Sequence, residues 1–387
     1  MNILYFSWGE NSTDDFQDTM TRLGHTVCTI QSAVQNYIEN PPLTQALENE
    51  LHKHAYDFMF SFDYLPFMSE TANAHQIKYV SWVYDCPHWT LYSPTIQNEC
   101  NYIFLFDLDL FSRVAARGAK HAYHLPLACN TTRTGQLLKL ADRPSPAQYQ
   151  NDLSFVGSLY EKNPYSQIQY LPDTLRGYLD GISAVQKQLW GCNLIKELLT
   201  PEKITELKNY IQLKPDPACP IPADALFQDM LLTKITSEER ITYLNTLAAS
   251  CQVSLYTNSD AALCPGADYK GTLSYTKEMP AVFYGSKINL NITLRSITSG
   301  IPLRALDIMG CGGFLLTNYQ RELAEYFKPD QEFVYFDSLE DLVQKAQYYF
   351  VHETERERIA RAGYQKVREC FSYEIQLQKI IDQITDS

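Results

Sequence analysis

The alternation of apolar and polar runs along the chain predicts two blocks of strands and helices. In the first block the predicted strands are Asn2–Phe6, Thr26–Ile30, Tyr56–Phe62, Lys78–Tyr84 and Ile103–Phe106, and the predicted helices are about Asp14–Leu23, Leu43–His54 and Asp109–Arg117. Strands separated by helices indicate a parallel sheet covered on both faces. Ligands bind beyond the carboxyl ends of the strands in such a sheet. We therefore expect functional side chains in the segments that follow the strands, Ser7–Asn11, Asp63–Pro66, Asp85–Trp89 and Asp107.

A second block begins after a polar stretch, Thr131–Asn151, which we interpret as a linker. A helix-rich insertion of about Pro164–Ser250 follows its first strand, and Thr236–Glu239 has the capping-box pattern of a helix start. The alternation then resumes with strands Val253–Tyr256, Ile288–Ile292, Phe314–Thr317 and Phe333–Phe336 and helices Pro302–Met309, Arg321–Phe327, Leu339–His352, Glu355–Cys370 and Tyr373–Ile384. The expected organisation is an N-terminal domain of residues 1–130, a linker of residues 131–151, a C-terminal domain of residues 152–372 and a final helix of residues 373–387.

Composition agrees with two ordinary globular domains. The chain has 387 residues, of which 45% are hydrophobic and 20% charged, and single cores stop growing at about 250–300 residues. A net charge of −13 without a Lys/Arg run argues against a nucleic-acid partner. The apolar runs are shorter than the roughly 20 residues of a membrane span, and the first residues lead into a strand rather than a signal peptide. Ten cysteines without a Cys-x-x-Cys pair indicate thiols in a reducing cytoplasm.

The densest signal is a strand, a glycine turn, a helix, a second glycine turn and a strand between Ser286 and Asn318. Pro302 marks the start of the helix, where free backbone N–H groups would favour a diphosphate. Arg304 and Asp307 are three residues apart, so they share a helix face, and a carboxylate there can accept both ribose hydroxyls. The alternative interpretation is a surface Arg–Asp pair on a packing helix.

This block resembles the C-terminal domain of CgeB-like glycosyltransferases, a family named for a spore-maturation protein. The shared pattern comprises Ser286-Lys287-Ile288, Leu290-Asn291, a glycine turn, Arg304-x-x-Asp307 and a Gly-rich turn before a strand, and it continues through Glu322–Phe327 and Ile359–Gly363. The N-terminal half is similar to a domain often attached to it, through Trp82–His88, Phe104–Asp107, Leu125–Ala128 and Phe155–Tyr160. The resemblance covers about Lys78–Gly363. It implies a bacterial enzyme of the α/β class with the GT-B architecture, two facing Rossmann-like domains with the helical insertion and C-terminal helices.

The resemblance also implies roles for the helix and the turn before it. In retaining GT-B enzymes a Glu-x7-Glu motif places its second carboxylate on the nucleotide ribose, and Asp307 takes that position. The first position falls on Ser299, which is not acidic. That departure leaves the backbone of Ser299, Gly300 and Ile301 to hold sugar or phosphate, and it weakens the expectation of a retaining reaction.

Further donor-side residues follow from the same resemblance. Lys287 and Arg304 are the expected diphosphate cations, since charge-assisted hydrogen bonds are strong, although Lys287 could instead be a solvated residue at a strand edge. Tyr275 ends the segment that resembles the base-binding region. Gly157 belongs to the matched segment at the start of the C-terminal domain, and we assign it to the nucleotide site.

On the N-terminal side the candidates are Asp85, His88 and Gly9. Asp85 follows a strand and precedes Cys86-Pro87, where GT-B enzymes place polar groups that face the acceptor. It could orient the acceptor hydroxyl or act as a base, with an Asx turn before proline as the alternative. His88 is a second catalytic candidate. Gly9 permits close approach of the backbone to the diphosphate.

One motif favours a different mechanism. Asp107-Leu108-Asp109 follows an apolar strand, as the metal-binding Asp-x-Asp of another glycosyltransferase fold does. We instead interpret Asp109 as the cap of the next helix. The expected function is transfer of a sugar from a nucleoside diphosphate sugar to a hydroxyl of a protein or glycan, without metal or cofactor. The alternatives are a metal-dependent transferase that uses Asp107 and Asp109, and a sugar-nucleotide-binding protein without catalysis.

Overall fold

Two structural units share the chain, and neither is continuous in sequence. The computed structural model describes residues 1–139, 147–214 and 216–386. The N-terminal unit contains Met1–Ala128, Lys214–Ile221 and the residues from Phe371 onward, and the C-terminal unit contains Cys129–Leu213 and Pro222–Cys370. The end of the chain therefore packs with its beginning, and Arg22 forms an ion pair of 2.6 Å with Glu374.

The N-terminal unit is built on a parallel sheet whose order, within the described residues, is β2-β1-β3-β4-β5-β6. Its elements are β1 (Asn2–Ser7), α1 (Thr13–Arg22), β2 (Thr26–Gln31), α2 (Pro41–Lys53), β3 (Phe58–Phe62), α3 (Pro66–Ala74), β4 (Lys78–Val83), β5 (Asn101–Leu105), α4 (Leu108–Ala116) and β6 (His121–His124). Every residue of β3 and β5 is buried, on both faces of the sheet. Continuous apolar strands of this kind are typical of parallel sheets covered on both sides.

The C-terminal unit has a second parallel sheet, ordered β12-β11-β10-β7-β8-β9 among its described residues. Its elements are α5 (Thr131–Lys139), β7 (Asn151–Val156), α6 (Asp173–Lys187), α7 (Ile195–Leu198), α8 (Pro201–Leu207), α9 (Ala223–Ala248), β8 (Val253–Tyr256), β9 (Asp268–Gly271), α10 (Met279–Gly285), β10 (Ser286–Asn291), α11 (Leu303–Gly310), β11 (Leu315–Asn318), α12 (Arg321–Tyr326), β12 (Val334–Phe336), α13 (Leu339–Val351) and α14 (Glu353–Cys370). The last helix, α15 (Tyr373–Thr385), returns to the N-terminal unit.

Helix α9 connects two hydrophobic cores. Its first half contributes Phe227 and Leu231 to the core of the helical insertion. Its second half contributes Leu244 and Leu247 to the core around the C-terminal sheet. A single 26-residue helix therefore fixes the insertion to the sheet.

Several elements differ from the sequence-based expectation. The stretch Thr131–Lys139, predicted as linker, is the helix α5, and the rest of the predicted linker up to residue 146 lies outside the described residues. The sequence pattern missed α3, β6 and β9. The expected helix start at Thr236–Glu239 is wrong, because these residues lie inside α9. Thr236 bonds the Leu232 carbonyl one turn earlier rather than capping an end.

The strand order creates one switch point in each sheet. In the C-terminal unit β7 lies between β10 and β8, so the connections that leave these strands diverge to opposite sides. In the N-terminal unit the corresponding place lies between β1 and β3. Ligands of doubly wound sheets bind outside the carboxyl ends of the strands at this point.

Two further structural properties are the character of the helices and the state of the cysteines. None of the described helices combines the length and the apolar character needed to cross a bilayer. None of the ten cysteines, all of which lie within the described residues, forms a disulfide. Burial raises the pKa of the Cys100 thiol to about 11 and that of the Cys251 thiol to about 11, so neither is an activated nucleophile at neutral pH.

Candidate functional site

The C-terminal candidate site is centred on the carboxylate of Asp307, which is buried on α11. The Tyr275 hydroxyl donates to Asp307 Oδ1 at 2.9 Å, and Arg304 Nη1 lies 3.3 Å from Oδ2. Tyr275 comes from the loop after β9, 32 residues earlier in the chain. The structure thus brings together three residues that the sequence analysis assigned to the nucleotide, and it holds the carboxylate in a fixed orientation.

Helix α10 and the start of α5 support this group. Arg304 Nη1 contacts the sulfur of Met279, and its guanidinium carbon lies 5.4 Å from the centre of the Phe283 ring. Arg133 Nη1 donates to the Thr276 carbonyl at 3.0 Å, next to Tyr275. The Phe283 ring therefore helps to position the Arg304 guanidinium, and the Arg133 hydrogen bond attaches the Tyr275 loop to α5.

The turn before α11 is buried at Ser299, Gly300 and Ile301. The Ser299 hydroxyl donates to Glu322 Oε1 at 2.7 Å, and the Glu322 backbone N–H donates to the Ser299 carbonyl at 3.0 Å. The Gly300 carbonyl accepts from Gln320 Nε2 at 3.1 Å. A carboxylate therefore does lie beside the first position of the Glu-x7-Glu motif, but it belongs to Glu322. The segment that begins at Glu322 belongs to the matched pattern, but its contact with Ser299 was not predicted, because the pairing of β10 with β11 brings α12 to this turn.

Lys287 is not brought to this site, which corrects the expectation that it is a diphosphate cation. It is the second residue of β10 and forms an ion pair of 2.6 Å with Asp152, near the start of β7. Four residues of strand, about 13 Å at the usual rise, separate it from the carboxyl end of β10. Its half-exposed ammonium matches the alternative of a solvated strand residue.

A different cation, Arg240 of α9, lies at the switch point. Its Nη1 donates to the Ser158 carbonyl at 2.6 Å, and its Nε donates to the Ile292 carbonyl at 3.1 Å. Ser158 follows β7 and Ile292 follows β10. Gly157 lies beside it, since a Cβ on this glycine would be 3.5 Å from Arg240 Nη1. No local spacing marks Arg240, because it is one charged residue in a long helix of the insertion.

A buried ion pair fixes α9 to the segment between β10 and α11. Arg295 Nε donates to Glu239 Oε2 at 2.8 Å, and Nη2 of the same guanidinium contacts Oε1. Both side chains are almost fully buried. The guanidinium carbon lies 3.3 Å from the Trp190 ring centre, and the Arg295 backbone N–H donates to Thr236 Oγ1 at 2.9 Å. This cluster couples the insertion to the segment that carries Ser299.

In the N-terminal unit, Asp63, Asp85 and His88 lie together at the carboxyl ends of β3 and β4. One ligand atom from each lies within 4.8 Å of the others. Asp63 Oδ1 accepts the backbone N–H groups of Tyr84 at 2.9 Å and Asp85 at 3.1 Å, and His88 Nδ1 lies 3.8 Å from the same oxygen. His88 Nε2 lies 3.1 Å from the Tyr64 backbone nitrogen, 2.9 Å from the Tyr64 carbonyl oxygen and 2.6 Å from Thr90 Oγ1. These contacts hold the ring with Nδ1 towards the carboxylates. By distance alone these three could share a metal ion.

Asp85 has a carboxyl group of unusual acidity. The surface of Asp85 taken as a whole is exposed to solvent. Its carboxyl group is nevertheless surrounded by enough protein to lose part of its hydration. Desolvation and the nearby Asp63 charge raise the pKa of Asp85 to about 6, and His88 opposes the shift. A carboxylate with a pKa near neutrality can accept a proton from a hydroxyl acceptor more effectively than an ordinary aspartate. The Asp63 segment is one of the predicted functional segments, but its contact with Asp85 was not predicted.

The remaining predicted positions have simple placements. Gly9 adopts φ +101°, in the region that favours glycine, and nothing lies within 4 Å of its missing Cβ. Asp107 is the helix cap of α4, because its Oδ1 accepts from the Leu110 N–H at 2.7 Å. The interpretation of Asp109 as the cap is therefore wrong, since Asp109 lies within the first turn. The pair does follow a buried strand, as expected.

Comparison with known proteins supports this reading of the fold. A family described as glycosyl transferase-like matches residues 240–382. No curated protein matches the chain. Similar solved structures include sucrose-phosphate synthase from Thermosynechococcus elongatus, with 9% identity and a TM-score of 0.58 over 100% of this chain and 99% of that chain. Another is Anabaena HepE in complex with UDP-glucose, with 10% identity and a TM-score of 0.56 over 100% of both chains.

A third similar structure is a UDP-forming α,α-trehalose-phosphate synthase from Burkholderia xenovorans, with 13% identity and a TM-score of 0.54 over 99% of this chain and 98% of that chain. At these identities the likeness shows the fold. The chain has the GT-B fold, and its residues 240–382 match the glycosyl transferase-like family. The α/β architecture expected from the sequence is confirmed.

Proposed function

We propose that the protein transfers a sugar from a nucleoside diphosphate sugar to a hydroxyl group of a protein or glycan acceptor. The observation that carries the proposal is the fixed carboxylate of Asp307, held by Tyr275 and Arg304 at the first turns of α11. A ribose offers two neighbouring hydroxyl donors, and a carboxylate is an acceptor for both. The matched glycosyltransferase-like domain contains Asp307 and Arg304.

The chemistry of such a site is positioning and charge stabilisation. The bond between the sugar and the diphosphate breaks, and negative charge develops on the departing diphosphate. Arg304, with the backbone of Ser299–Ile301, would stabilise that charge. Asp85, with its raised pKa, would orient or deprotonate the acceptor hydroxyl, and His88 would support it. No step of this scheme needs a metal ion.

The finer assignment to the CgeB-like group is also our proposal. It is supported by the Ser286–Asn291 strand and by the Arg304-x-x-Asp307 spacing that begins on the next helix. The acceptor is proposed from the resemblance alone, as a bacterial surface, flagellar or spore glycan or a protein. A retaining outcome is favoured by the motif position of Asp307 and opposed by Ser299.

Nucleotide binding followed by donor turnover tests the proposal. UDP, GDP, ADP, CDP and dTDP are compared by thermal shift, because a ligand at a hundredfold excess over its dissociation constant stabilises by about 2.7 kcal/mol. The sugar nucleotides of the best binder are then incubated with the protein, and the free nucleoside diphosphate is measured. We expect slow donor hydrolysis without acceptor. Binding with no release at all would favour a sugar-nucleotide-binding protein without catalysis.

A further inference from the structure

A buried cation occupies the switch point of the C-terminal sheet. Arg240 is 8% exposed, and its guanidinium spans the Ser158 carbonyl after β7 and the Ile292 carbonyl after β10. These are the two strand ends between which the connections diverge. Doubly wound sheets bind their ligands at this place, so Arg240 lies where the topology predicts a ligand.

Among the described residues no carboxylate forms a salt bridge with Arg240, whose guanidinium carbon lies 5.4 Å from the centre of the Phe155 ring and 4.9 Å from that of Tyr160. The carboxylate next to it in sequence, Glu239, is bonded in bidentate fashion by Arg295 instead. Arg240 forms hydrogen bonds only to the two carbonyl groups, through Nε, Nη1 and Nη2. A guanidinium carries five N–H donors, so donors on Nη1 and Nη2 remain without an acceptor in the described chain. A buried charge normally has a partner, because an uncompensated one is costly.

A second cation, Arg304, is close enough for its charge to act on Arg240. Burial lowers the pKa of Arg240 to about 10, the neighbouring Tyr160 and Glu239 oppose the shift, and the charge of Arg304 lowers it further. The Arg240 guanidinium remains protonated at neutral pH. Two like charges that repel each other are stabilised when an anion binds near both of them.

We propose that Arg240 binds the diphosphate of the donor nucleotide together with Arg304, in the place that the sequence analysis gave to Lys287. The inference rests on the proposed function and deepens it, because it gives the helical insertion a part in donor binding through α9. Gly157 has a defined role in this arrangement. Without a side chain, it leaves the edge of the Arg240 guanidinium open to a phosphate.

Three variants of the full chain test the inference. Arg240→Gln removes the charge. Gly157→Ala keeps the charge but adds a methyl group 3.5 Å from Nη1 and 3.6 Å from the Phe155 ring, which are ordinary contact distances, so we expect it to fold. Lys287→Gln is the matched control, since it removes one positive charge from the same sheet near the amino ends of its strands. Calorimetry measures the affinity of each for the best-binding nucleoside diphosphate of the screen above and for the corresponding nucleoside.

Loss of one charge-assisted hydrogen bond corresponds to roughly 10- to 150-fold in affinity. We expect Arg240→Gln and Gly157→Ala to lower the affinity for the nucleoside diphosphate by at least about 10-fold and the affinity for the nucleoside by less than about 3-fold. Lys287→Gln should bind both ligands like the wild type. If Arg240 only fastens the two loops, Gly157→Ala will bind the diphosphate normally, and that result overturns the inference even when Arg240→Gln does not fold. If the wild type binds no nucleoside diphosphate, the proposed function itself fails.

Discussion

Tyr275 and Asp307 are joined by a hydrogen bond of 2.9 Å between the phenol and the carboxylate. The bond links the loop after β9 to the middle of α11, two elements with no local relation in sequence. It gives the carboxylate one orientation, and Arg304 holds the other oxygen. A preorganised acceptor of this kind loses little side-chain entropy when a ligand binds.

The first prediction concerns this carboxylate. Asp307→Ala should weaken nucleoside diphosphate binding by roughly 10- to 150-fold, because hydrogen bonds to a charged group contribute about 1.5–3 kcal/mol. Tyr275→Phe keeps the carboxylate and removes only its orienting bond, so a smaller loss is expected. Calorimetry with the ribose and 2′-deoxyribose forms of the nucleotide measures both effects.

Asp152→Ala is the matched control, since it removes a half-exposed carboxylate at the amino edge of the same sheet. It should bind both nucleotides like the wild type. If Asp307→Ala also binds both forms as tightly as the wild type does, Asp307 does not contact the ribose and serves only as the partner of Arg304 and Tyr275.

Asp85 is expected to act through its ionised form. Its pKa is raised to about 6, so the fraction of base rises as the pH passes upward through 6, and transfer should rise with it. Asp85→Asn should leave nucleotide affinity nearly unchanged and lower transfer by about 10²-fold or more. The pH profile of kcat/KM and the melting temperature of the variant are measured together. If the variant folds normally and its transfer activity is unchanged, Asp85 serves only to form the turn before Pro87.

Transfer should not depend on a divalent metal. The developing diphosphate charge is stabilised by arginine and helix groups in the proposed scheme, and Asp107 already caps α4. Donor turnover is measured in EDTA and after addition of Mn²⁺. Activity lost in EDTA and restored by Mn²⁺ contradicts this prediction. Asp109→Asn, which leaves the Asp107 cap intact, then identifies the metal site. Loss of the Mn²⁺ response in this variant indicates the Asp-x-Asp motif, and an unchanged response indicates the Asp63–Asp85–His88 group.

The Arg295–Glu239 pair should be important for stability. Glu239→Gln leaves the Arg295 charge buried without its partner, and breaking a buried pair costs about 3–5 kcal/mol. Chemical denaturation, followed for the unfolding transition of the C-terminal unit, measures the change. Asp268→Asn is the control, because its ion pair with Lys270 is exposed and should contribute no measurable stability. Equal stability of the two variants would show that the buried pair is dispensable.

The sequence by itself determined the features that depend on local periodicity. The strand and helix alternation predicted both parallel sheets, and the three-residue spacing of Arg304 and Asp307 predicted that they share a helix face. Such features follow from a few neighbouring residues, because the periods of strands and helices are fixed by backbone geometry. The resemblance to a known family added the GT-B architecture, which the fold confirms.

Only the tertiary structure decided which distant residues meet. Strand order placed Arg240 at the switch point, although the sequence motif contains Lys287 and not Arg240. The pairing of β10 with β11 brought Glu322 to Ser299. The pairing of β3 with β4 brought Asp63 to Asp85. These contacts depend on long-range packing, and no spacing along the chain encodes which distant residues will meet.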